Sequence, residues 1–387
     1  MSQQPATDVV VVGGGVIGLA IAWRAAAAGM TVTVVDETPG QGASWAAAGM
    51  LAPVTEVHYG ERPLLGLNLA AADRWPAFAA EVEEASGQPV GYRPGGTLAV
   101  ARDADDNAAL EDLYQFQLRC GLRVERLRSR ECRQLEPGLA PSIRGGILAA
   151  GDHQVDNRAL VQALLIACRW AGVRLLQGRA AELTVEGDRV GGVVLAGGGP
   201  ALPAGTVVLA AGCWSGGLGG LPAEALPPVR PVKGQLLYLR GPADEPLCSR
   251  NVRGLEVYVV PRGDGRVVVG ATVEEQGFDT RVTAGAVHDL LRAALELLPD
   301  VAELELLETV VGLRPGSPDN APMLGPAGPE GLVVATGHYR NGILLTPVTA
   351  DAIAELLATG RVPDLIAPFG PGRFSGGVPA GAGRGVP

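Results

Sequence analysis

Asp8 to Asp36 reads DVVVVGGGVIGLAIAWRAAAAGMTVTVVD. The four valines after Asp8 predict a strand. Gly13-Gly14-Gly15-Val16-Ile17-Gly18 follows as a turn, and an Ala-rich helical run leads to Gly29. Residues 31–36 return to β-branched types and close on Asp36. Strand, glycine turn, helix, strand and acid are the parts of a dinucleotide-binding βαβ unit. Gly13 permits the tight turn, Gly15 lets the backbone approach a pyrophosphate, and Gly18 lets the helix pack close to the strand. The helix start at Val16 and Ile17 then faces the phosphates, where free N–H groups and the helix dipole favour negative charge. Asp36 lies eighteen residues after Gly18, where a carboxylate can accept from ribose hydroxyls. The fingerprint predicts a dinucleotide and leaves FAD and NAD both open.

The chain has 387 residues, enough for two domains that each bury a core. With 47% hydrophobic and 19% charged residues it has the composition of a globular protein. A net charge of -10 without a dense Lys/Arg cluster argues against nucleic acid and against an anionic membrane as partner. Five dispersed cysteines without a CxxC pair fit reduced thiols in the cytoplasm. No metal site is expected, and no apolar run is read as a membrane span.

Beyond Asp36 a loop of small residues, Gly42 to Gly49, would let backbone N–H groups reach a planar ligand, with Ser44 as a cap. Helical patterns cover 68–84, 107–120, 157–171 (capped by Asp156), 284–297 and 342–359. Strands are expected at 92–101, 174–177, 181–186, 190–195 and 206–210, the last running into Ala211-Gly212-Cys213-Trp214. Between 229 and 312 the pattern changes to strands joined by turns, at 235–240, 256–261, 266–271 and 307–312. This predicts an antiparallel sheet inserted into a Rossmann-like α/β domain. The expected division is 1–85, 145–225 and 312–367 for the dinucleotide-binding domain, and 86–144 and 226–311 for the substrate domain. The Gly/Pro-rich stretch 368–387 is expected to be a disordered tail.

Four motifs join this frame: Gly42-Ala43-Ser44-Trp45-Ala46-Ala47-Ala48-Gly49-Met50-Leu51-Ala52-Pro53, Val257-Tyr258-Val259-Val260-Pro261-Arg262, Gly312-Leu313-Arg314-Pro315-Gly316-Ser317, and Thr336-Gly337-His338-Tyr339-Arg340-Asn341-Gly342-Ile343-Leu344-Leu345-Thr346-Pro347. With them the chain resembles the D-amino-acid-oxidase-like FAD-dependent oxidoreductases, within them the glycine oxidase branch. The resemblance spans nearly the whole chain and implies a glutathione-reductase-like FAD domain. It implies FAD rather than NAD, held without a covalent bond. Trp45 stands where histidine-linked relatives carry their His, and no Cys follows Cys248.

The cofactor set so implied is Gly13, Gly15, Val16, Ile17, Gly18, Asp36 and Glu37, then Ala43, Ser44, Ala47, Ala48, Gly49 and Met50. Ala180, Ala211, Gly212 and Trp214 continue it, and His338, Arg340, Asn341, Gly342, Ile343 and Leu344 complete it. The helix beginning at Gly342 would stabilise negative charge on the cofactor ring. His338 is read as a turn residue, not as a base. The resemblance gives Arg314 the substrate carboxylate, Tyr258 a supporting hydroxyl, and the Arg340 carbonyl the substrate amine. Arg314 suits this role because a planar fork matches a carboxylate. Arg340 and Arg253 are the alternatives for the carboxylate.

The implied reaction is oxidative deamination of glycine or another small amine, with oxygen reduced to hydrogen peroxide. The product would feed thiazole synthesis for thiamin, with thiazole synthase downstream, and the enzyme would be a homo-oligomer. Sarcosine oxidase, D-amino-acid oxidase, a quinone-linked dehydrogenase and a non-catalytic flavin-binding partner are the other readings. Glu256 and Val273 depart from the family's usual residues and are expected to bear on amine preference and pocket volume.

Overall fold

The computed structural model describes residues 7–374. Strand Thr7–Val12, helix Val16–Ala27 and strand Val32–Asp36 form the βαβ unit read from the sequence. The first sheet runs in the order Met323–Pro326, Leu332–Thr336, Leu202–Leu209, Thr7–Val12, Val32–Asp36, Arg174–Gln177. It is parallel up to the antiparallel edge strand Met323–Pro326. Alternation along each strand sorts its side chains to two faces. Val9, Val11, Val32 and Val34 meet the helices Val16–Ala27, Arg62–Ser86, Asn157–Trp170 and Gly342–Thr359. Val10, Val12 and Val35 meet Leu183, Val190 and Val193 of the hairpin Ala180–Glu186 and Arg189–Leu195.

The second sheet has the order Glu305–Gly316, Arg230–Arg240, Arg266–Gly270, Tyr258–Pro261, Asn251–Arg253, Thr97–Ala101, Gly145–Ala149, Glu125–Arg128. It is antiparallel throughout except where Asn251–Arg253 pairs with Thr97–Ala101. Helix Ala284–Leu297 covers one face through Leu290, Ala293, Ala294 and Leu297. The other face, with Leu236, Tyr258 and Val260, turns toward Ala48 and Met50 of the small-residue loop.

Several expectations shift. Gly145–Ala149, placed with the dinucleotide half, pairs with Thr97–Ala101 in the second sheet. The strand reaching Arg314 begins at Glu305 and stays in that sheet through Gly316. The strand expected at 92–101 starts only at Thr97, because Gly96 holds φ at +78°, outside the β region. Helix Ser129–Leu135 and strand Glu125–Arg128 were not anticipated; both are too short for periodicity to register. Of the expected tail, Ala367–Phe369 and Pro371–Phe374 form 3₁₀ turns, with Phe369 buried and Arg373 paired with Asp319 at 2.9 Å. Residues 375–387 lie outside the described residues. Tyr339–Thr359 is long and apolar enough to cross a membrane, contrary to expectation. It is apolar all round because it is packed in the core against Val16–Ala27 and Arg62–Ser86.

Candidate active site

A cavity of about 1150 Å³ runs from the βαβ turn to the second sheet. Its first end is made of backbone. Gly13 has φ +110°, and an added Cβ would lie 2.4 Å from the Ala210 carbonyl oxygen. A Cβ on Gly18 would lie 1.9 Å from the Gly13 carbonyl oxygen, so only glycine lets the helix sit this close to the turn. Gly15, Val16 and Ile17 line the cavity at the helix start, whereas Gly18 acts from behind it. The Ser44 hydroxyl accepts from Val16 N–H at 2.9 Å, so it caps the dinucleotide helix from a distant segment. Asp36 and Glu37 line the same end. Asp36 accepts from Gly14 N–H and Thr38 N–H, both at 2.7 Å. A carboxylate has about four acceptor positions, so capacity remains for ribose hydroxyls.

The middle is walled by three small-residue turns. Ala43, Ala47, Ala48, Gly49 and Met50 line one side, and Ala180, Ala211, Gly212 and Trp214 the other. Gly49 could not be replaced in place: its Cβ would stand 2.0 Å from the Val155 carbonyl oxygen. Buried Arg262 ties this loop down, donating to Ala48 O at 2.7 Å, Val155 O at 3.0 Å and Asn157 Oδ1 at 3.1 Å. Asn157 donates in turn to the carbonyls of Ser44 and Trp45. Trp45 itself faces the Arg158 guanidinium, 4.7 Å from its ring centroid. Thr336 donates to Gly212 O at 2.9 Å and joins the last turn to the middle one.

At that last turn, His338, Arg340, Gly342 and Ile343 line the cavity. Asn341 and Leu344 do not: Asn341 starts the helix, and the Leu344 carbonyl accepts from Trp75 Nε1 at 2.8 Å. His338 is 2% exposed, with Nε2 3.1 Å from Thr349 Oγ1, and burial pushes its imidazole down to about 3. It is therefore neutral and unsuited to act as a base at neutral pH. Tyr339 holds φ +47°, a left-handed conformation for a bulky residue beside the cavity.

The far end belongs to the second sheet and is made of side chains. Arg314 and Tyr258 both line it. Two cross-strand glycines make their room. A Cβ on Gly234 would lie 2.4 Å from Arg314 Nη1, and one on Gly270 would lie 2.5 Å from the Tyr258 hydroxyl. Arg314 Nη1 donates to Thr272 O at 3.0 Å and Lys233 O at 3.4 Å, which aims the fork. Among the described residues Arg314 has no acidic partner, whereas Arg253 pairs with Glu56 at 3.0 Å and Arg340 with Glu61 at 3.3 Å. The two alternatives for a substrate carboxylate are thus already engaged. Burial pushes the Tyr258 hydroxyl up to about 12, so it stays protonated and can donate.

Glu256 and Val273 lie elsewhere. Glu256 is exposed beside Arg102 at 3.3 Å, and Val273 is 66% exposed and outside the cavity wall. Residues not anticipated include Glu56, which lines the cavity near Tyr258, and the two cross-strand glycines. A glycine inside a strand signals close approach of another group, so Gly234 and Gly270 were legible in principle.

Nothing in this cavity conflicts with FAD: the glycine cradle, the capped helix start, the acid at the strand end and the small-residue walls suit an extended dinucleotide. The chain belongs to the DAO family of FAD dependent oxidoreductases, whose family model matches residues 8–356. It is 37% identical over 376 residues to a glycine oxidase of Geobacillus kaustophilus, covering 96% of this chain and 98% of the relative. The crystal structure of glycine oxidase from Geobacillus kaustophilus superposes with a TM-score of 0.87 at 35% identity, covering 94% of this chain and 98% of that one. The chain is also 37% identical over 380 residues to a bifunctional ThiO/ThiG protein of Synechocystis sp., covering 96% of this chain. It spans only 55% of that relative's length.

Proposed function

We propose that this chain is an FAD-dependent oxidase of small amino acids, with glycine or a close analogue as substrate and oxygen as final acceptor. The observation that carries this reading is Arg314: a cavity-lining guanidinium without an acidic partner among the described residues, beside a protonated tyrosine, in the cavity that the dinucleotide cradle opens. FAD, when bound, would supply the acceptor for the hydride, the two electrons of the substrate Cα–H bond, as the C–N bond becomes an imine. Gly13, Gly15, Val16, Ile17, Asp36, Glu37, the Ala43–Met50 loop and the turn at Gly342 would hold it. Arg314 takes the substrate carboxylate with its fork, and Tyr258 donates its hydroxyl to the same group. The Arg340 carbonyl accepts from the amine. The chain's contribution is position and charge, since neither His338 nor Tyr258 titrates near neutral pH.

The first sheet and its helices form the cofactor domain, and the second sheet, from Thr97 to Ala149 and Arg230 to Gly316, the substrate domain. Free thiols at all five cysteines suit a cytoplasmic site of action. The likeness to a protein named ThiO/ThiG supports a role in supplying a glycine-derived imine to a thiazole synthase. The test is direct. The purified protein is yellow, releases FAD on acid precipitation, and bleaches when mixed anaerobically with glycine, sarcosine or D-alanine. Fast reoxidation by air with release of peroxide makes it an oxidase, whereas stability in air with reoxidation by a quinone makes it a dehydrogenase.

A further inference from the structure

Lys233 is the chain's sole lysine; every other cationic side chain apart from histidine is arginine. It is fully buried, on the strand that passes behind the substrate end of the cavity. Its ammonium lies 3.1 Å from Asp279 Oδ2 and 3.9 Å from Glu274 Oε2. Both acids sit in the irregular stretch between strand Arg266–Gly270 and helix Ala284–Leu297. The same stretch is stitched to the strand by Lys233 N–H to Glu274 O at 2.9 Å and Glu274 N–H to Lys233 O at 3.0 Å. Gln235 adds contacts to Glu274 at 2.8 Å and from Thr283 N–H at 2.9 Å. The stretch also carries Thr272, whose carbonyl is the nearest acceptor of the Arg314 fork, and Phe278, which lines the cavity 5.9 Å from Trp214.

We propose that Lys233 is a positioning residue for substrate binding: its buried ammonium pins the 271–283 segment, and so fixes the Thr272 carbonyl that aims Arg314 at the substrate carboxylate. This rests on Arg314 being the carboxylate clamp. The chemistry fits a lysine. A compact ammonium with three rotatable donors serves two acids converging from one loop, whereas a rigid planar fork would need more room than a fully buried site offers. The burial is a cost unless the charge is paired, and the two acids pair it. Removing the ammonium leaves two partly exposed carboxylates that can turn to water, so the loop loosens without an uncompensated buried charge.

The experiment compares glycine with glycine ethyl ester, which keeps the amine and lacks the carboxylate, in the FAD-loaded enzyme. Lys233→Met should raise KM for glycine by about tenfold, the scale of one hydrogen bond lost between the clamp and the carboxylate. It should leave the ester's KM and the kcat of both substrates nearly unchanged. Asp279→Asn removes the nearer ion pair while Glu274 still pairs the buried ammonium, and should act alike to a smaller degree, which covers the case of a poorly folding Lys233→Met. An equal effect on acid and ester, or none on either, overturns the proposal. Arg314→Ala is the reference. If it discriminates acid from ester and the Lys233 and Asp279 variants do not, the role of Lys233 alone falls; if Arg314→Ala treats both alike, the clamp falls and takes this role with it. A second readout needs no turnover. Because Lys233 is the sole side-chain amine, its acylation measures how often the segment lifts. Saturating glycolate should slow that labelling in the parent enzyme and not in Arg314→Ala. Labelling indifferent to glycolate in the parent overturns the coupling.

Discussion

The two ends of the cavity are made of different materials. The cradle end is backbone: glycines, a capped helix start and three turns of small residues, set on a parallel sheet with alternating buried valines. The proposed substrate end is side chains: Arg314 and Tyr258, projected from a second sheet and aimed by carbonyls and cross-strand glycines. Backbone recognition fits a ligand common to many enzymes. Side-chain recognition fits the part that each enzyme must choose. A change at the first end should therefore cost cofactor and fold together, and a change at the second should cost substrate affinity alone.

The largest expected effect lies at the side-chain end. Arg314→Ala should weaken substrate binding by about 2–5 kcal/mol, the cost of truncating one partner of a buried charge pair. Arg314→Lys should recover only part, because an ammonium does not reproduce the fork. Flavin absorbance and melting temperature should hold in both. Steady-state KM beside a thermal melt reads the split. A loss of folding in Arg314→Ala would place this arginine with the scaffold and dissolve the contrast between the ends.

At the backbone end, Gly18→Ala should destabilise by about 1–3 kcal/mol, toward the top of the range for overpacking. The new Cβ meets a backbone carbonyl at 1.9 Å rather than a flexible side-chain tip. FAD should be lost in parallel. Flavin content after gel filtration, set beside the apparent melting temperature, checks this. A variant that keeps FAD at full occupancy would show that the turn relaxes more cheaply than its geometry indicates.

The same contrast explains what could be read from sequence. Gly13, Gly18 and Asp36 announce themselves because a missing Cβ or a terminal acid at fixed spacing is a local requirement; helix 284–297 was legible by its apolar periodicity, and helix 342–359 by the length of its apolar run. The second sheet was harder. Gly145–Ala149 pairs with a strand more than forty residues earlier, and Asn251–Arg253 runs parallel to it; neither partner is marked in the local sequence. Arg314 was singled out by its motif, and the direction of its fork, on which the proposed clamp rests, depends on Gly234, Lys233 and Thr272. Glu256 lies outside the cavity because the strand expected from 256 begins only at Tyr258, and the bend before it turns this side chain to solvent and Arg102.

His338 gives a pH test of the backbone end. Its folded value near 3 lies below the ordinary value of 6.5, so between these limits the unfolded chain binds a proton that the folded one does not. Stability from this site is therefore complete above about pH 6.5 and falls as the pH drops. The loss should reach about 2 kcal/mol by pH 5. Asp152 works in the opposite sense. Burial pushes it up to about 6, so between roughly pH 4 and 6 the folded state holds the extra proton and gains on acidification. His338→Gln removes the first contribution only. Its melting temperature should fall less between pH 7 and 5 than the parent's, and an unchanged slope would mean that His338 charges in place.

The smallest effect returns to the substrate end and asks how far its side chains can be separated. Tyr258→Phe removes one hydroxyl beside Arg314, and should weaken carboxylate binding by about 0.5–1.5 kcal/mol, the net worth of one hydrogen bond. The ring stays, so the contact with Gly270 and the packing against Ala48 and Met50 are kept. The effect should appear in KM for glycine and be absent for its ethyl ester. It should also be flat from pH 6 to 9, since a hydroxyl pushed up to about 12 does not ionise there. In the Arg314→Ala background the same substitution should cost less than it does alone, because in the proposed site both groups share one carboxylate and a double-mutant cycle reads that coupling. Strict additivity would mean that Tyr258 and Arg314 touch different parts of the substrate, with the hydroxyl serving the amine instead.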